Sequence, residues 1–227
     1  MRITHCRVNY LENPFIDREP YISWIPESDR RGSRQTAYRI TCRRAADGAP
    51  VCDTGWVESE DCLPVPLPVE PQPLTEYRFC VRARDERGCE AQPGEGGFTG
   101  AMRGRKFEAK WITGQFCDRR ENVLGAVWLR REFARPARLK KALLVICGLG
   151  YFEARINGKK VGDDFLSTPL TAFDQQVQYR VFDVTEMLGQ GENALGVILG
   201  NGLYNCFTQD AWATNAAIWR DVPKLLC

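Results

Sequence analysis

The spacing of the apolar residues constrains the fold of this 227-residue chain more than any other feature. In the run 77–84, apolar residues alternate with Arg78, Cys80, Arg82 and Arg84. A period of two places successive side chains on opposite faces of a strand, with one face buried and the other in water. Helical periodicity is almost absent elsewhere, so the sequence predicts an all-β protein.

The first half predicts one β-sandwich of the immunoglobulin or fibronectin type III kind. Other strand-like runs lie at 21–24, 37–43 and 98–102, bounded by Gly, Pro or Asp. The proline-rich stretch 64–73 cannot pair in a central strand, so we expect it at an edge or in a connection. The glycines within 94–97 are expected to break the chain before the last strand. Short strands with turns over about 100 residues are typical of such a sandwich.

The second half predicts a longer sandwich of the jelly-roll, galactose-binding-like kind. Asn157-Gly158 lies between two strand-like runs, and a type I′ hairpin turn needs positive φ at both central positions, which Asn-Gly supplies. Asp183 is expected to cap one helical turn that Gly189 ends. The expected strands are 127–133, 138–147, 151–156, 177–184 and 194–199.

A charged stretch at 103–110 separates the two halves and is interpreted as a solvated linker. The predicted domains are therefore 1–104, the immunoglobulin or fibronectin-like sandwich, and 105–227, the second sandwich. The apolar end at 223–227 resembles the start of a strand, so we expect the second domain to be truncated there.

The charge balance excludes several partners. With 31 basic and 29 acidic residues the formal net charge is only +2, so neither nucleic acid nor an anionic membrane surface is expected as a partner. No apolar run approaches the length that spans a membrane, and no secretory leader is evident at the start. The ten cysteines include no Cys-x-x-Cys pair, and several lie in apolar strands. We expect free thiols, and hence a cytoplasmic protein.

Catalytic motifs are not evident in the sequence. His5 is the single histidine, which removes a Ser-His-Asp or Cys-His centre unless His5 itself takes part. The glycine clusters at 94–97 and 148–150 lack the spacing of a phosphate-binding loop. We predict no catalytic residue and no cofactor, apart from a calcium alternative discussed below.

A series of motifs in the second half resembles one known module. They include Asn-Gly-Lys-Lys-Val-Gly at 157–162, Asp-Val-Thr at 183–185, Gly-Glu-Asn at 191–193 and Gly-Asn-Gly-Leu-Tyr-Asn at 200–205. Their order resembles the amino-terminal module of bacterial α-L-rhamnosidases of glycoside hydrolase family 78. The first half resembles the fibronectin-like domain that precedes it, through the short matches 13–14, 23–24, 35–38, 53–55 and 77–85.

The resemblance implies a supporting role. Members of that family hydrolyse α-L-rhamnosides with inversion, by a carboxylic acid and a carboxylate base about 6.5–9.5 Å apart. Both residues lie in a downstream α/α-barrel, which we expect as the missing partner of this chain and as its link to a rhamnose-containing glycoside. Two alternatives stay open: an autonomous carbohydrate-binding module for rhamnose or a related sugar, and a fibronectin-type protein-interaction module.

Five residues are candidates for a ligand site. Asn201, Tyr204 and Asn205 follow the end of a predicted strand, and amides beside an aromatic face suit the hydroxyls and C–H edges of a neutral sugar. The alternative is a tight turn anchored by Tyr204. Trp219 can face a ligand or lie under a loop. Asp174 can bind a ligand or cap a turn. The resemblance adds one departure, since Phe173 and Leu203 stand where the family tends to carry tryptophan.

Asp163 and Asp164 form the weak calcium candidate. Loop carboxylates and carbonyls are the ligands that calcium prefers. Adjacent residues of a strand point to opposite faces, so only an irregular loop lets both carboxylates converge. The alternative interpretation is a solvated turn.

A possible homodimer is predicted from the carboxyl end. We expect the strand that starts at Pro223 to present an unpaired edge, and Trp212, Ile218 and Trp219 to form an apolar patch beside it. Two copies could cover both features at once.

Overall fold

The computed structural model describes residues 1–114, 125–206, 208–209 and 212–227. The chain divides into two compact units, Met1–Lys106 and Phe107–Cys227. Their elements are β-strands joined by turns, with two 3-10 turns in the second unit. The prediction of an all-β protein is therefore confirmed.

The first unit consists of two sheets. The strands are β1 (Arg2–Val8), β2 (Phe15–Ile16), β3 (Tyr21–Glu27), β4 (Gln35–Arg44), β5 (Pro50–Asp53), β6 (Val57–Glu58), β7 (Val65–Pro66), β8 (Glu76–Asp85) and β9 (Gly94–Gly100). One sheet has the strand order β1-β3-β7, and the other has the order β2-β9-β8-β4-β5, with β6 also pairing with β4. All pairs are antiparallel except the short parallel contact of β2 with β9.

The core of the first unit lies between these sheets. The alternation in β8 is confirmed, because its apolar residues are buried while Arg78, Arg82 and Arg84 are at least partly exposed. Trp24 of β3 packs edge-on against Tyr38 of β4, with ring centroids 5.3 Å apart. The Trp24 indole Nε1 donates to Gln35 Oε1 at 2.8 Å, which satisfies its buried polar group.

Two expectations for the first unit were wrong in detail. The glycines of 94–97 do not break the chain but lie inside β9, since they permit close contact between strands. A Cβ on Gly94 would lie 2.6 Å from Cys6 Sγ, and one on Gly96 would lie 2.5 Å from the Phe79 ring. The start of the presumed linker is also anchored, because Arg103 N donates to Asp17 Oδ1 at 2.8 Å.

The strands of the second unit are β10 (Val127–Ala134), β11 (Leu143–Leu149), β12 (Tyr151–Ile156), β13 (Lys159–Lys160), β14 (Arg180–Asp183), β15 (Glu192–Gly200) and β16 (Lys224–Leu226). They form two sheets, with the orders β10-β15-β12-β13 and β14-β11-β16. Buried residues of both sheets, such as Ile146, Phe152 and Leu199, form one core. The jelly-roll connectivity expected for this unit stays a prediction.

The hairpin predicted for the second unit is confirmed, but the predicted N-cap is wrong, because the 3-10 turn has Val184 and not Asp183 at that position. Asn157 and Gly158 have φ of +51° and +81° and join β12 to β13 in a hairpin. Asp183 starts a turn, although the helical part is only the 3-10 turn Thr185–Met187. Burial raises the pKa of the Asp183 carboxyl, but hydrogen bonds from Thr185 N at 3.0 Å and Oγ1 at 2.6 Å outweigh it, so that pKa is lowered overall.

The expected unpaired strand at the carboxyl end was wrong. β16 pairs with β11 along one side, with Leu225 opposite Gly148. On the other side Ile112 N donates to Leu225 O at 2.9 Å, and Leu225 N donates to Ile112 O at 2.8 Å. The segment that enters the second unit therefore covers this edge, a long-range pairing that the local sequence does not encode.

Most cysteines of the described chain are free thiols. These eight are Cys6, Cys42, Cys52, Cys62, Cys80, Cys89, Cys147 and Cys227, and Cys117 lies outside the described residues. Burial raises the pKa of both the Cys42 and the Cys147 thiol to about 12. Among the residues with a described structure, no helix is long and apolar enough to cross a membrane.

Candidate functional site

Three aromatic side chains from three separate turns meet in the second unit. Tyr204 and Trp219 stack, with ring centroids 6.0 Å apart and an interplanar angle of 15°. Phe173 meets both edge-on, at 5.3 Å from Tyr204 and 4.9 Å from Trp219. These offset and T-shaped arrangements are the favoured ones for aromatic pairs. The structure therefore brings together two of the predicted site residues, which we call with Phe173 the aromatic cluster.

The turns around the aromatic cluster have simple local causes. Phe173 lies in a turn closed by Gln175 N and Gln176 N, which both donate to Ala172 O at 2.8 Å. Tyr204 lies in the turn that follows β15 at its Gly-rich end. Trp219 follows the 3-10 turn Thr214–Ala216 and precedes β16.

A cavity of about 530 Å³ opens beside the aromatic cluster. It is lined by Tyr204 and by residues 215–221, which include Trp219, Arg220 and Asp221. Its size falls within the range of small-ligand sites, which are about 300–1,000 Å³. The cavity combines an aromatic surface with two charged side chains.

Lys224 connects the aromatic cluster to the charged side of the cavity. Its Nζ lies 2.7 Å from Asp221 Oδ2 and donates to Tyr204 OH at 3.5 Å. The same Nζ lies 5.4 Å from the centroid of the Tyr204 ring, within the range of a cation–π contact. This arrangement fixes the tyrosine and neutralises the aspartate.

Asn201 and Asn205 hold the turn that carries Tyr204. Asn205 N donates to Asn201 O at 3.1 Å, and Asn205 Nδ2 donates to Asn201 Oδ1 at 2.9 Å. Asn205 is only 2% exposed, and its Oδ1 has no hydrogen-bond partner among the described residues. The structure thus favours the turn interpretation for these two amides, while Tyr204 reaches the cavity.

Asp174 lies on the exposed side of the Phe173 turn. Its Oδ2 accepts a hydrogen bond from Gln175 Nε2 at 3.3 Å. It is not among the residues that line the cavity. Its neighbour Phe173 takes part in the aromatic cluster instead.

In the calcium candidate, basic side chains contact the oxygens of Asp164. Asp164 is within 2.6 Å of the Arg180 guanidinium, its other partner is Ser167 Oγ, and its backbone carbonyl accepts from Lys160 Nζ at 2.8 Å. Asp163 is exposed. In the described ranges no three His, Cys, Asp or Glu residues come together as metal ligands would. This arrangement favours the solvated, ion-paired turn.

Comparison with known proteins assigns both units. The domain family described as the α-L-rhamnosidase N-terminal domain matches residues 137–227. The family described as the Rha78A-like N-terminal immunoglobulin domain matches residues 3–97. The two units are N-terminal domains of α-L-rhamnosidases. The resemblance identified from the sequence is therefore confirmed.

Individual relatives agree with this assignment. An α-L-rhamnosidase of Formosa agariphila is 33% identical over 226 residues, which cover 87% of this chain and 24% of that protein. The structure of the α-L-rhamnosidase from Dictyoglumus thermophilum matches 99% of this chain and 27% of its own, with a TM-score of 0.83 and 28% identity. The chain spans about a quarter of the length of these rhamnosidases.

An enzyme from Aspergillus terreus shares the fold. Its native α-L-rhamnosidase structure has a TM-score of 0.83 at 23% identity, and covers 99% of this chain and 26% of its own. At this identity the match supports the fold alone.

Sequence reasoning missed three residues of the site. From the sequence, Phe173 is identified only as a position where the family tends to carry tryptophan, and neither Arg220 nor Lys224 is singled out. The basic residues around Asp221, in Trp-Arg-Asp-Val-Pro-Lys at 219–224, were the available signal. Their convergence depends on turns that are distant in sequence, which the local pattern does not reveal.

Proposed function

We propose that this chain is a non-catalytic N-terminal part of an α-L-rhamnosidase whose second unit helps to recognise the glycoside. The hydrolytic reaction then belongs to the rest of the polypeptide, and the two units support the substrate and the packing of the domains. The relatives, about four times as long, bear the name α-L-rhamnosidase, which supports the parent activity.

The observation that carries the recognition role is the stacked pair of Tyr204 and Trp219 at the edge of a cavity. Aromatic faces favour the C–H edges of a sugar ring, while polar groups nearby fix its hydroxyls. Asp221 and Arg220 provide an acceptor and a donor on the same wall. The half-buried Trp219 still has surface to offer to a ligand.

The electrostatics support a non-catalytic role. A glycosidase needs a general acid whose pKa is raised, so that it holds a proton at neutral pH. Some described carboxyls have a pKa that departs clearly from its ordinary value, and in each of them the pKa is lowered. Hydrogen bonds from arginine and from the backbone lower it for Asp47 and Asp53. Lowered values suit structural ion pairs.

Calorimetric titration with methyl α-L-rhamnoside tests the recognition role. We expect measurable binding that Trp219→Ala weakens by about tenfold or more, since the stacking surface is lost. Trp219→Phe keeps an aromatic face and is expected to weaken binding less. Trp128→Ala is the matched control, because Trp128 is 77% exposed on β10, away from the cavity lining. Absence of binding, or equal loss in both alanine variants, would contradict the role.

A further inference from the structure

Arg220 is the unusual residue of the cavity. Its Nε is buried and has no hydrogen-bond partner among the described residues. The side chain lines the cavity, and its backbone N donates to Ala217 O at 3.1 Å, which holds the residue in the turn before β16. A buried N–H that has lost water and gained no acceptor destabilises the fold, more so when the group is charged.

The positive charge of Arg220 also has no ion-pair partner among the described residues. Asp221 is the one acidic residue in the cavity lining of the described chain, and Lys224 already lies 2.7 Å from its carboxylate. Arg220 forms no ion pair with any described residue. Lys224 and Asp221 form an ion pair, so among the described residues that line the cavity no carboxylate pairs with the Arg220 guanidinium, which belongs to the residue next to Trp219.

We infer that the cavity binds an anionic saccharide, with the sugar ring against Trp219 and a carboxylate or sulfate ester on Arg220. This inference rests on the proposed saccharide recognition and adds the chemical class of the ligand. A guanidinium can pair two of its donors with two oxygens of a carboxylate or a sulfate ester, and these charge-assisted bonds are about twice as strong as neutral ones. The aromatic face selects for a ring, which a free inorganic anion lacks.

The test compares methyl α-L-rhamnoside with its 2-, 3- and 4-sulfates and with methyl glucuronoside, by calorimetry on the full chain. We expect at least one anionic probe to bind about tenfold or more tightly than the neutral rhamnoside. Arg220→Gln should reduce that affinity to the level of the neutral sugar, and Arg220→Lys should restore part of it. The preference should weaken as NaCl rises. Comparison of the three sulfates with methyl glucuronoside identifies which anion the site binds.

The controls separate this inference from the proposed function. Arg130→Gln removes the same charge from exposed β10, where Arg130 pairs with Glu132, and should leave all affinities unchanged. Because Arg220 Nε has no partner to orphan, Arg220→Gln should keep the thermal unfolding midpoint, which checks that the variant folds.

Each outcome bears on one claim. If no anionic probe binds more tightly than the rhamnoside, or if the advantage survives Arg220→Gln, the anionic specificity is wrong, and the titration with the neutral rhamnoside alone decides the proposed function. If inorganic sulfate competes equally with the sugar sulfates and Trp219→Ala does not change their affinity, the site binds a bare anion and the inference is wrong. Binding of anionic probes alone would support the inference and contradict recognition of the neutral rhamnoside.

Discussion

The side-chain amide of Asn157 donates to Asn193 Oδ1 at 2.8 Å, which ties the β12–β13 hairpin to the turn before β15. Asn193 Nδ2 in turn donates to Gly189 O at 3.1 Å and to Gly191 O at 2.9 Å. Asn157 Oδ1 accepts from Ala194 N at 2.9 Å. Two short motifs about 35 residues apart are thereby joined through one hydrogen-bond network.

Asn193→Ala should destabilise the second unit by about 1–3 kcal/mol, because it leaves the part-buried donors and acceptors of this network without partners. Asn193 is only 3% exposed, so water cannot replace the lost amide. Chemical denaturation, monitored by a signal that reports on the second unit, measures the change in the free energy of unfolding. Gln190→Ala, an exposed amide in the same turn, is the control and should change stability little. Equal effects of the two substitutions would show that the network is not stabilising.

Thiol reactivity should follow burial. Because the pKa of the Cys42 and Cys147 thiols is raised to about 12, almost no thiolate exists there at pH 8, and iodoacetamide should label them only after unfolding. The exposed Cys89 should be labelled first. Mass spectrometry after timed labelling gives the order. Unfolding without reductant should release close to the full ten thiols, and mapped disulfides would contradict the predicted cytoplasmic location.

Acid should weaken the first unit in part through Asp53. Hydrogen bonds from Arg39 and from Gly55 N lower the pKa of the Asp53 carboxyl to about 2, below its unfolded value of about 3.9. A lowered folded pKa means that the stabilisation is present above about pH 4 and is lost as the pH falls towards 2.

Urea midpoints at pH 6 and pH 2.5 measure this effect. The fall in midpoint should be smaller in Asp53→Asn than in the unmodified chain. Asp29→Asn is the control, since Asp29 is exposed and has no ion pair with a described residue. A fall of the same size in all three proteins would assign the acid sensitivity to other groups.

Self-association stays a prediction that now rests on the apolar patch alone. Trp212 and Ile218 are 77% and 92% exposed, whereas the expected free edge of β16 is covered by Ile112. Sedimentation velocity over a wide concentration range should show a dimer that Ile218→Ser weakens. Val51→Ser, an exposed apolar residue of the first unit, is the control. A monomer at every concentration would contradict the dimer.

Local patterns predicted the fold well. The alternation along β8 and the Asn157-Gly158 hairpin were encoded by neighbouring residues, because a strand needs a period of two and a type I′ turn needs positive φ. The glycines of β9 were misinterpreted, since their role depends on contacts with Cys6 and Phe79 from other strands.

The site was predictable only in part. Tyr204 and Trp219 were identified as aromatic residues in polar turns, but their stacking depends on how the turns fold together. Arg220 has no local signature that separates it from a surface arginine. Its buried Nε becomes visible only when residues 215–221 form the cavity wall.

Hydrolysis of an aryl α-L-rhamnoside by this chain alone is the most direct test of the claim that it is non-catalytic. The account predicts a rate equal to that of buffer at every protein concentration, because it assigns the carboxyl pair that an inverting glycosidase needs to the rest of the polypeptide. A full-length α-L-rhamnosidase serves as the positive control. A rate well above buffer that a single Asp or Glu substitution abolishes would contradict the account.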